Sequence, residues 1–189
     1  FLSTPCWPKM LKPLQSEQLT LLASSTTKPH INPLMIRLYK PQDLDRLKEI
    51  TAICFDGVSI DRNIEELLGP IGQRDWRWRK LRHIDDDVQG ERAAGVFVWE
   101  EQTSVGAYIS TRIDAESKIG TIPNLAVDPA LQGKGIGRQL IEHALAYMRS
   151  EGMECAKIET LAQNPIGSHL YPDVGFKEVA RQIHYAMRL

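Results

Sequence analysis

The stretch that most constrains the fold is residues 119–152, where a strand, a glycine-rich turn and a helix follow one another without a gap. Residues 119–127 are short and mostly apolar and end at an Asp-Pro pair, as is typical of a buried strand. The turn covers residues 132–137. From Ile136 onward apolar residues repeat at helical spacing, and Gly152 provides the stop.

This strand–turn–helix unit predicts an anion site. Glycines let the backbone approach a ligand closely and adopt positive φ angles where the turn needs them. The first N–H groups of a helix lack intrahelical partners, and the macrodipole places partial positive charge beside them. Lys134 and Arg138 add full charges at the same place. We therefore expect a phosphate or pyrophosphate ligand.

Two familiar phosphate motifs fit this turn less well. A P-loop needs Ser or Thr after Gly-Lys, whereas Gly135 follows Lys134 here. A dinucleotide fold needs Gly-x-Gly-x-x-Gly directly after its strand, and counting from Gly133 its third glycine position holds Arg138. Glu159 does lie about the right distance onward for a ribose contact. A dinucleotide ligand therefore stays open as the weaker alternative.

The pattern Gln-x-x-Gly-x-Gly over residues 132–137, after Leu-Ala-Val-Asp-Pro, resembles the acetyl-CoA-binding motif of the GCN5-related N-acetyltransferases. The resemblance runs over residues 36–189 and is strongest over residues 124–176. It implies an α/β (α+β) fold with a mixed, mostly antiparallel sheet flanked by helices, and acetyl-CoA as co-substrate without a metal. In that family the turn N–H groups hold the pyrophosphate, and the exposed backbone of a bulged strand pairs with the pantetheine arm. The implied cofactor contacts are Leu125, Ala126, Val127, Gln132, Gly133, Lys134, Gly135, Ile136, Gly137, Arg138 and Asn164.

The resemblance also implies a catalytic pair. Tyr171 lies in a Leu-Tyr-x-x-x-Gly-Phe segment whose tyrosine commonly acts as general acid toward the CoA sulfur, and a phenol with a pKa of about 10 is protonated at neutral pH. Pro172 departs from the usual pattern and is expected to end the helix early. Glu159 matches a strand glutamate that serves as base in members acetylating protein N-termini. Structural roles stay open for both: packing for Tyr171, and an ion pair with Lys157, with water as base, for Glu159.

Other polar residues have secondary roles in this interpretation. Asn164 matches a family asparagine that caps the following helix or bonds the cofactor arm. Asn124 lies beside the expected bulge and is a candidate for lining the acceptor site. His184 and Tyr185 are expected to border the acceptor cleft from a terminal hairpin. The Trp-Arg segment of residues 75–84 is read as a solvated helix, and the acidic triple that follows it as an exposed turn.

Composition bounds the class of protein. The formal net charge is −1, which argues against a nucleic-acid partner. The three cysteines are scattered without metal-ligand spacing, which favours a reducing cytoplasm. No apolar run approaches the length of a membrane span, so no membrane partner is expected. The expected partner is an amine substrate, and a homodimer is possible.

The chain divides into an N-terminal extension, residues 1–34, and an acetyltransferase domain, residues 35–189. Helices are predicted after Pro41, over residues 60–68, and from Pro165 to Pro172 or Asp173. Predicted strands include the antiparallel run of residues 93–99, 105–113 and 119–127, and residues 155–161 parallel to the last of these. Residues 176–181 and 183–188 are predicted to close the sheet as two further strands.

These observations predict an N-acetyltransferase that moves the acetyl group of acetyl-CoA to a primary amine by direct attack. No cysteine is placed for a covalent acetyl intermediate, since Cys155 begins its strand away from the expected thioester. A peptide or protein amino terminus is the first choice of acceptor, and a small amine is the second. The alternative from another class is a non-catalytic acyl-CoA-binding regulator, which the same fold permits.

Overall fold

The computed structural model describes residues 35–101 and 103–189, so the predicted extension of residues 1–34 lies outside it. Its α-helices are α1 (Leu44–Cys54), α2 (Ile60–Leu68), α3 (Trp76–Asp87), α4 (Ile136–Ser150) and α5 (Pro165–Val174). Its strands are β1 (Ile36–Leu38), β2 (Val96–Glu101), β3 (Ser104–Ser110), β4 (Arg112–Asp114), β5 (Ile119–Ile122), β6 (Leu125–Val127) and β7 (Cys155–Ile158). No helix in these residues is both long and apolar enough to cross a bilayer.

The helices begin where the sequence predicts. Pro41 opens a short 3-10 turn that leads into α1, since proline suits the first turn of a helix. The predicted helix over residues 60–68 is confirmed as α2. Asp75 caps α3 by accepting a hydrogen bond from the Trp78 N–H at 2.9 Å. The acidic triple forms the last turn of α3; Asp85 and Asp86 are exposed as expected, whereas the expectation was wrong for Asp87, which is buried.

The strands form two sheets in the described residues. The larger has the order β1-β2-β3-β6 and is antiparallel throughout, and the smaller has the order β4-β5-β7. In the smaller sheet β5 pairs antiparallel with β4 and parallel with β7, so α4 makes the predicted β-α-β crossover. The predicted mixed, mostly antiparallel architecture is therefore present, with the motif strand shared between both sheets.

The motif strand is shared because it breaks at Pro123 and Asn124. Before the break, β5 pairs with β4 and β7, and after it β6 pairs with β3. Proline has no N–H to give to a ladder, and the Asn124 side chain is drawn into a buried polar cluster. The predicted single strand of residues 119–127 thus becomes two strands that diverge, and the gap between the sheets opens beside them.

Two apolar clusters cover the two faces of the larger sheet. Alternate residues of each strand point to opposite faces, so Phe97 and Ile109 face α4 whereas Val98 and Tyr108 face α1 and α3. The apolar cluster on the α4 side extends under the smaller sheet. There, a Cβ on Gly120 would lie 2.5 Å from the Met148 sulfur. This close approach requires glycine in β5 and fixes α4 against both sheets.

The two predicted terminal strands are absent. Residues 176–189 follow α5 outside any helix or strand of the described chain, and the apolar side chains of Val179, Ile183 and Tyr185 are exposed. The alternation that suggested strands is present in the sequence, but no strand among residues 35–101 and 103–189 pairs with it. Consequently, His184 and Tyr185 do not border a cleft from a terminal hairpin.

Candidate active site

The glycine turn forms a nest of free backbone donors. Gly133 and Gly135 both have φ of 77°, which favours glycine, and Gly135 is the N-cap of α4. No described residue accepts a hydrogen bond from the backbone N–H groups of residues 133–138, and the ladder of α4 begins with Gln139 donating to Gly135. A Cβ at Gly133 or Gly135 would meet nothing within 4 Å, so the space before these donors is open. Six free donors at a helix N-terminus suit a pyrophosphate.

Side chains around the nest have separate tasks. Arg138 donates to the Asp173 carbonyl at 3.0 Å and so joins the first turn of α4 to the end of α5. Gln132 donates to the Val127 carbonyl at 2.9 Å, which fixes the turn against β6. Lys134 is exposed and forms no ion pair with the described residues. Among the predicted contacts, the backbone groups and Lys134 therefore remain available to a ligand.

An open strand edge runs away from the nest. Ser110 donates to the Asn124 carbonyl at 2.9 Å and Asp128 donates to the Gly106 carbonyl at 2.8 Å, so alternate residues of this segment face β3. Because the direction of backbone groups alternates in an antiparallel pair, those of Leu125 and Val127 face the other edge. In the described chain β6 pairs with β3 alone. This edge can therefore accept an extended amide-bearing chain.

Helix α5 forms the wall opposite this edge. A Cβ on Gly137 would lie 3.3 Å from Leu170 and 3.8 Å from Val127, so the first turn of α4 touches both α5 and β6. Tyr171 follows Leu170 and packs against the same apolar cluster as Leu125 and Val127. The nest, the open edge and the Tyr171 side chain thus border one path.

Burial raises the pKa of the Tyr171 phenol to about 12, so it is protonated throughout the neutral range. Its ring packs edge-on to Phe176, with centroids 6.3 Å apart. Pro172 does not end the helix early: α5 continues to Val174, and Gly175 closes it by donating to the Tyr171 and Pro172 carbonyls. That expectation was wrong, because the residue after Pro172 can still adopt helical angles while a left-handed glycine ends the helix.

Asn164 is confirmed as the cap of α5. Its side-chain oxygen accepts from the Gly167 N–H at 3.2 Å, and its amide nitrogen donates to the Thr160 hydroxyl at 2.9 Å. A Cβ on Gly167 would lie 2.8 Å from that hydroxyl and 3.1 Å from the Tyr171 ring. The segment after β7 therefore crosses α5 at Gly167, which brings Thr160 and Tyr171 to the same place.

Glu159 lines a cavity at the gap between the sheets. The cavity has a volume of about 340 Å³, and its lining comprises His83, Arg112, Thr121, Ile122, Pro123, Asn124, Lys157 and Glu159. Glu159 follows β7 directly and is exposed. One of its carboxylate oxygens forms an ion pair with the Lys157 ammonium at 2.7 Å. The second oxygen is available. The predicted ion pair with Lys157 is therefore present, and the role of Glu159 as a base stays a prediction.

A buried polar network that sequence reasoning missed supports this cavity. Asn124 donates to Asp87 at 2.7 Å and accepts from the Lys80 ammonium at 2.7 Å. Asp87 is 2% exposed and also accepts from Ser110 at 2.6 Å and from Arg112 at 2.8 Å. The network therefore fixes Asn124 and one side of the Arg112 guanidinium. Both groups face the cavity.

One signal in the sequence pointed to this network. Lys80 and Asp87 share the helical face of Trp76 and Ile84, which is the buried face of α3. Charged residues on an apolar stripe usually have partners, since burying an unpaired charge is strongly unfavourable. Desolvation lowers the pKa of Lys80 to about 8, and its ammonium also lies 3.9 Å from the centre of the Phe55 ring. The partners themselves come from β3, β4 and the strand break, which the pattern of α3 does not reveal.

Cys54 is the cysteine that lies beside the open edge. Its thiol donates to the Val127 carbonyl at 3.1 Å, and burial raises its pKa to about 11. A thiol in this state is almost entirely protonated at neutral pH and is a weak nucleophile. Cys155 is exposed at the start of β7. The Cys54 thiol is therefore a poor acetyl acceptor although it lies beside the open edge.

The arrangement defines a class of protein. Free amides for a pyrophosphate, a strand edge for an amide-bearing arm, and a phenol and a carboxylate beyond it suit a transferase that takes an acyl group from coenzyme A. The chain belongs to the acetyltransferase (GNAT) family, whose model matches residues 62–176. It is therefore an acetyl-CoA-dependent N-acetyltransferase, as the sequence predicts.

Individual relatives agree with this assignment. The [ribosomal protein bS18]-alanine N-acetyltransferase of Salmonella typhimurium is 29% identical over 113 residues, which cover 51% of this chain and 76% of that enzyme. The crystal structure of the Escherichia coli enzyme of the same name has a TM-score of 0.57 at 22% identity, over 77% of this chain and 78% of that one. AAC(6')-Iy with the bisubstrate analogue CoA-S-monomethyl-acetylneamine has a TM-score of 0.55 at 17% identity, over 82% and 97%. At these identities the two structures support the fold alone.

Proposed function

We propose that this chain acetylates the amino terminus of a peptide or protein, with Glu159 as the base and Tyr171 as the acid. The observation that carries the proposal is the position of Glu159. It lines the cavity together with Asn124, the residue directly before β6, and Thr160 beside it lies next to Gly167, as the Tyr171 ring does. The relatedness to an enzyme named for a ribosomal-protein alanine supports the same acceptor class.

Acetyl-CoA supplies an activated acetyl thioester, and the backbone N–H groups of the nest would hold its pyrophosphate. The N–H groups of residues 133–138 fit that group because they converge on open space and lack other acceptors. The backbone groups of Leu125 and the N–H of Val127 would pair with the pantetheine amides, since the Val127 carbonyl already accepts from Gln132 and Cys54. Ala126 turns its backbone toward β3, so its predicted contribution is to hold this edge rather than to bond the arm.

The proton transfers divide between the two side chains. The free oxygen of Glu159 would accept a proton from the acceptor ammonium, directly or through a water, which leaves a neutral nucleophilic amine. Tyr171 would donate a proton toward the departing sulfur, and its raised pKa keeps that proton available at neutral pH. An N–H on the open edge of β6 would stabilise negative charge on the carbonyl oxygen. The protonated Cys54 thiol favours direct attack over a covalent enzyme intermediate.

The experiment that tests these roles compares two isosteric variants on a peptide with a free amino terminus. Tyr171→Phe should lower kcat by roughly 100-fold while changing acetyl-CoA affinity little, because general acid catalysis contributes about that factor. Glu159→Gln should remove the acidic limb of the pH–rate profile. Rates come from thiol release, and affinities come from calorimetric titration with acetyl-CoA.

Tyr147→Phe is the matched control, since Tyr147 packs on Phe97 along α4 away from the path. An equal loss of affinity and turnover in Tyr171→Phe would assign the tyrosine to packing. An unaltered acidic limb in Glu159→Gln would assign the base to water. Turnover of small amines without turnover of any peptide would overturn the acceptor class and leave the acetyltransferase assignment intact.

A further inference from the structure

The floor of the cavity is a row of side chains that the strand register places together. Arg112 in β4 pairs with Thr121 in β5, and Thr121 pairs with Lys157 in β7. Directly paired residues project from the same face of a sheet, so these three side chains form one line across the smaller sheet. Glu159, two residues beyond Lys157, lines the same cavity.

The charges along this row are ordered. The Glu159 carboxylate and the Lys157 ammonium form an ion pair at the β7 end, so each largely offsets the other. Arg112 lies at the β4 end, two strand spacings or roughly 10 Å from Lys157 between Cα atoms. Therefore a carboxylate and a guanidinium mark opposite ends of the floor.

Arg112 is held in place while part of it stays free. Its Nε and Nη2 atoms donate to one oxygen of Asp87, at 3.3 and 2.8 Å. Asp87 is buried and is itself fixed by Ser110 and Asn124. No described residue accepts from Nη1 of Arg112, and the side chain is 44% exposed. A guanidinium anchored on one side and open on the other is pre-organised to bind a second carboxylate.

We infer that the acceptor carries a carboxylate close to its amine and that Arg112 binds this carboxylate. This inference rests on the proposed function, because it takes the cavity beside Glu159 as the acceptor site. The amine then lies near Glu159 and the carboxylate near Arg112, both of which line this cavity. The carboxylate can be an acidic side chain near a peptide amino terminus or the α-carboxylate of a free amino acid.

The two sources of the carboxylate are separated by two arms of one experiment. The first arm compares short peptides Ala-X-Gly-Gly-amide in which X is Glu, Gln or Lys. The second arm compares free alanine and free glutamate with their α-amides. The measured quantity is kcat/KM at saturating acetyl-CoA, for the full chain, by thiol release.

We expect a carboxylate to raise kcat/KM about tenfold or more in one arm, since a charge-assisted hydrogen bond contributes that much. Arg112→Gln should reduce the ratio between acidic and amide acceptors to about one, mainly by raising KM for the acidic acceptor. Because the ratio is taken within one variant, partial loss of folded protein does not affect it. Arg112→Lys should retain part of the preference.

Arg82→Gln is the matched control, because Arg82 is exposed on the outer face of α3 over the Trp78 ring and does not line the cavity. It should keep the wild-type ratio. Equal rates for acidic and amide acceptors in both arms, or a preference that survives Arg112→Gln, would overturn the inference. By contrast, if no peptide is acetylated, the acceptor class of the proposed function has failed, whatever the amino-acid arm shows.

Discussion

The cofactor side and the acceptor side of this molecule are built in different ways. The nest of residues 133–138 uses backbone N–H groups, and all of its donors come from one continuous stretch. The cavity beside Glu159 uses side chains from α3, β4, β5 and β7, and a buried carboxylate, Asp87, orients them. The first site depends on backbone conformation and the second on side-chain contacts. Substitutions should therefore affect the two sites separately.

The largest expected effect comes from placing a side chain in the nest. Gly135→Glu adds a carboxylate where the free donors converge, and its left-handed backbone disfavours a side chain by about 1–2 kcal/mol. We expect acetyl-CoA affinity to fall at least about 1,000-fold, because the introduced carboxylate would repel the pyrophosphate at its own binding site. Isothermal titration with acetyl-CoA measures it.

Gly152→Glu is the control for this substitution. Gly152 has the same φ of 77° and the same open space, but it lies beyond the other end of α4. It should lose comparable stability and bind acetyl-CoA normally. If both variants lost affinity alike, backbone strain in α4 would explain the effect, and the pyrophosphate assignment would fail.

The second effect is on the acceptor side. Asp87→Asn replaces a carboxylate that accepts four hydrogen bonds, from Ser110, Asn124 and Arg112, with a group that carries two donors of its own. Breaking a buried charged network by removing one partner costs about 3 kcal/mol or more. We expect that loss in the free energy of unfolding and a higher acceptor KM, with acetyl-CoA affinity unchanged. Urea titration, thiol release and calorimetric titration with acetyl-CoA measure these three quantities in turn.

Asp86→Asn serves as its neighbour control, because Asp86 is exposed on the same turn of α3. It should leave the free energy of unfolding, the acceptor KM and the acetyl-CoA affinity unchanged. A loss of acetyl-CoA affinity in Asp87→Asn equal to its rise in acceptor KM would contradict the separation of the two sites.

The difference between a site built from backbone groups and one built from side chains also explains which features could be predicted from the sequence. A nest made of consecutive residues leaves a local pattern, so the turn, α4, the crossover and the cap at Asn164 were all predictable. The roles of Glu159 and Tyr171 stay predictions that rest on a resemblance covering their segment. The network around Asp87 joins residues up to 44 positions apart, as in the bond from Lys80 to Asn124, and no local pattern encodes such a contact. The acidic triple was misread for that reason.

The prediction of two terminal strands was wrong for a related reason. Alternating apolar residues predict a strand only if another strand is present to pair with it, and pairing is a property of the whole sheet. Residues 183–189 alternate as a strand does, yet they remain unpaired beside an otherwise complete set of described elements. An irregularity beside Asn124 was expected from the resemblance, whereas the bonds from Asn124 to Asp87 and Lys80 at this break were not.

The smallest expected effect is a pH dependence of the free energy of unfolding, which arises from Lys80 on the acceptor side. Burial lowers the pKa of Lys80 from its ordinary 10.5 to about 8 in the folded chain. Between pH 8 and 10.5 the unfolded chain therefore binds more protons than the folded chain, and stability contributed by this group rises with pH across that window. From pH 7 to 9.5 the rise is about 2 kcal/mol.

The Lys80→Met variant isolates this contribution. Subtracting its free energy of unfolding from that of the wild type at each pH removes groups common to both, and the difference should shift in favour of the wild type as pH rises. Lys177→Met, at an exposed position after α5, should give a flat difference. A flat difference for Lys80→Met as well would mean that the ammonium is as well solvated in the folded chain as in the unfolded one. The buried network would then not hold Asn124 through a desolvated charge, and the acceptor side would depend on Asp87 alone.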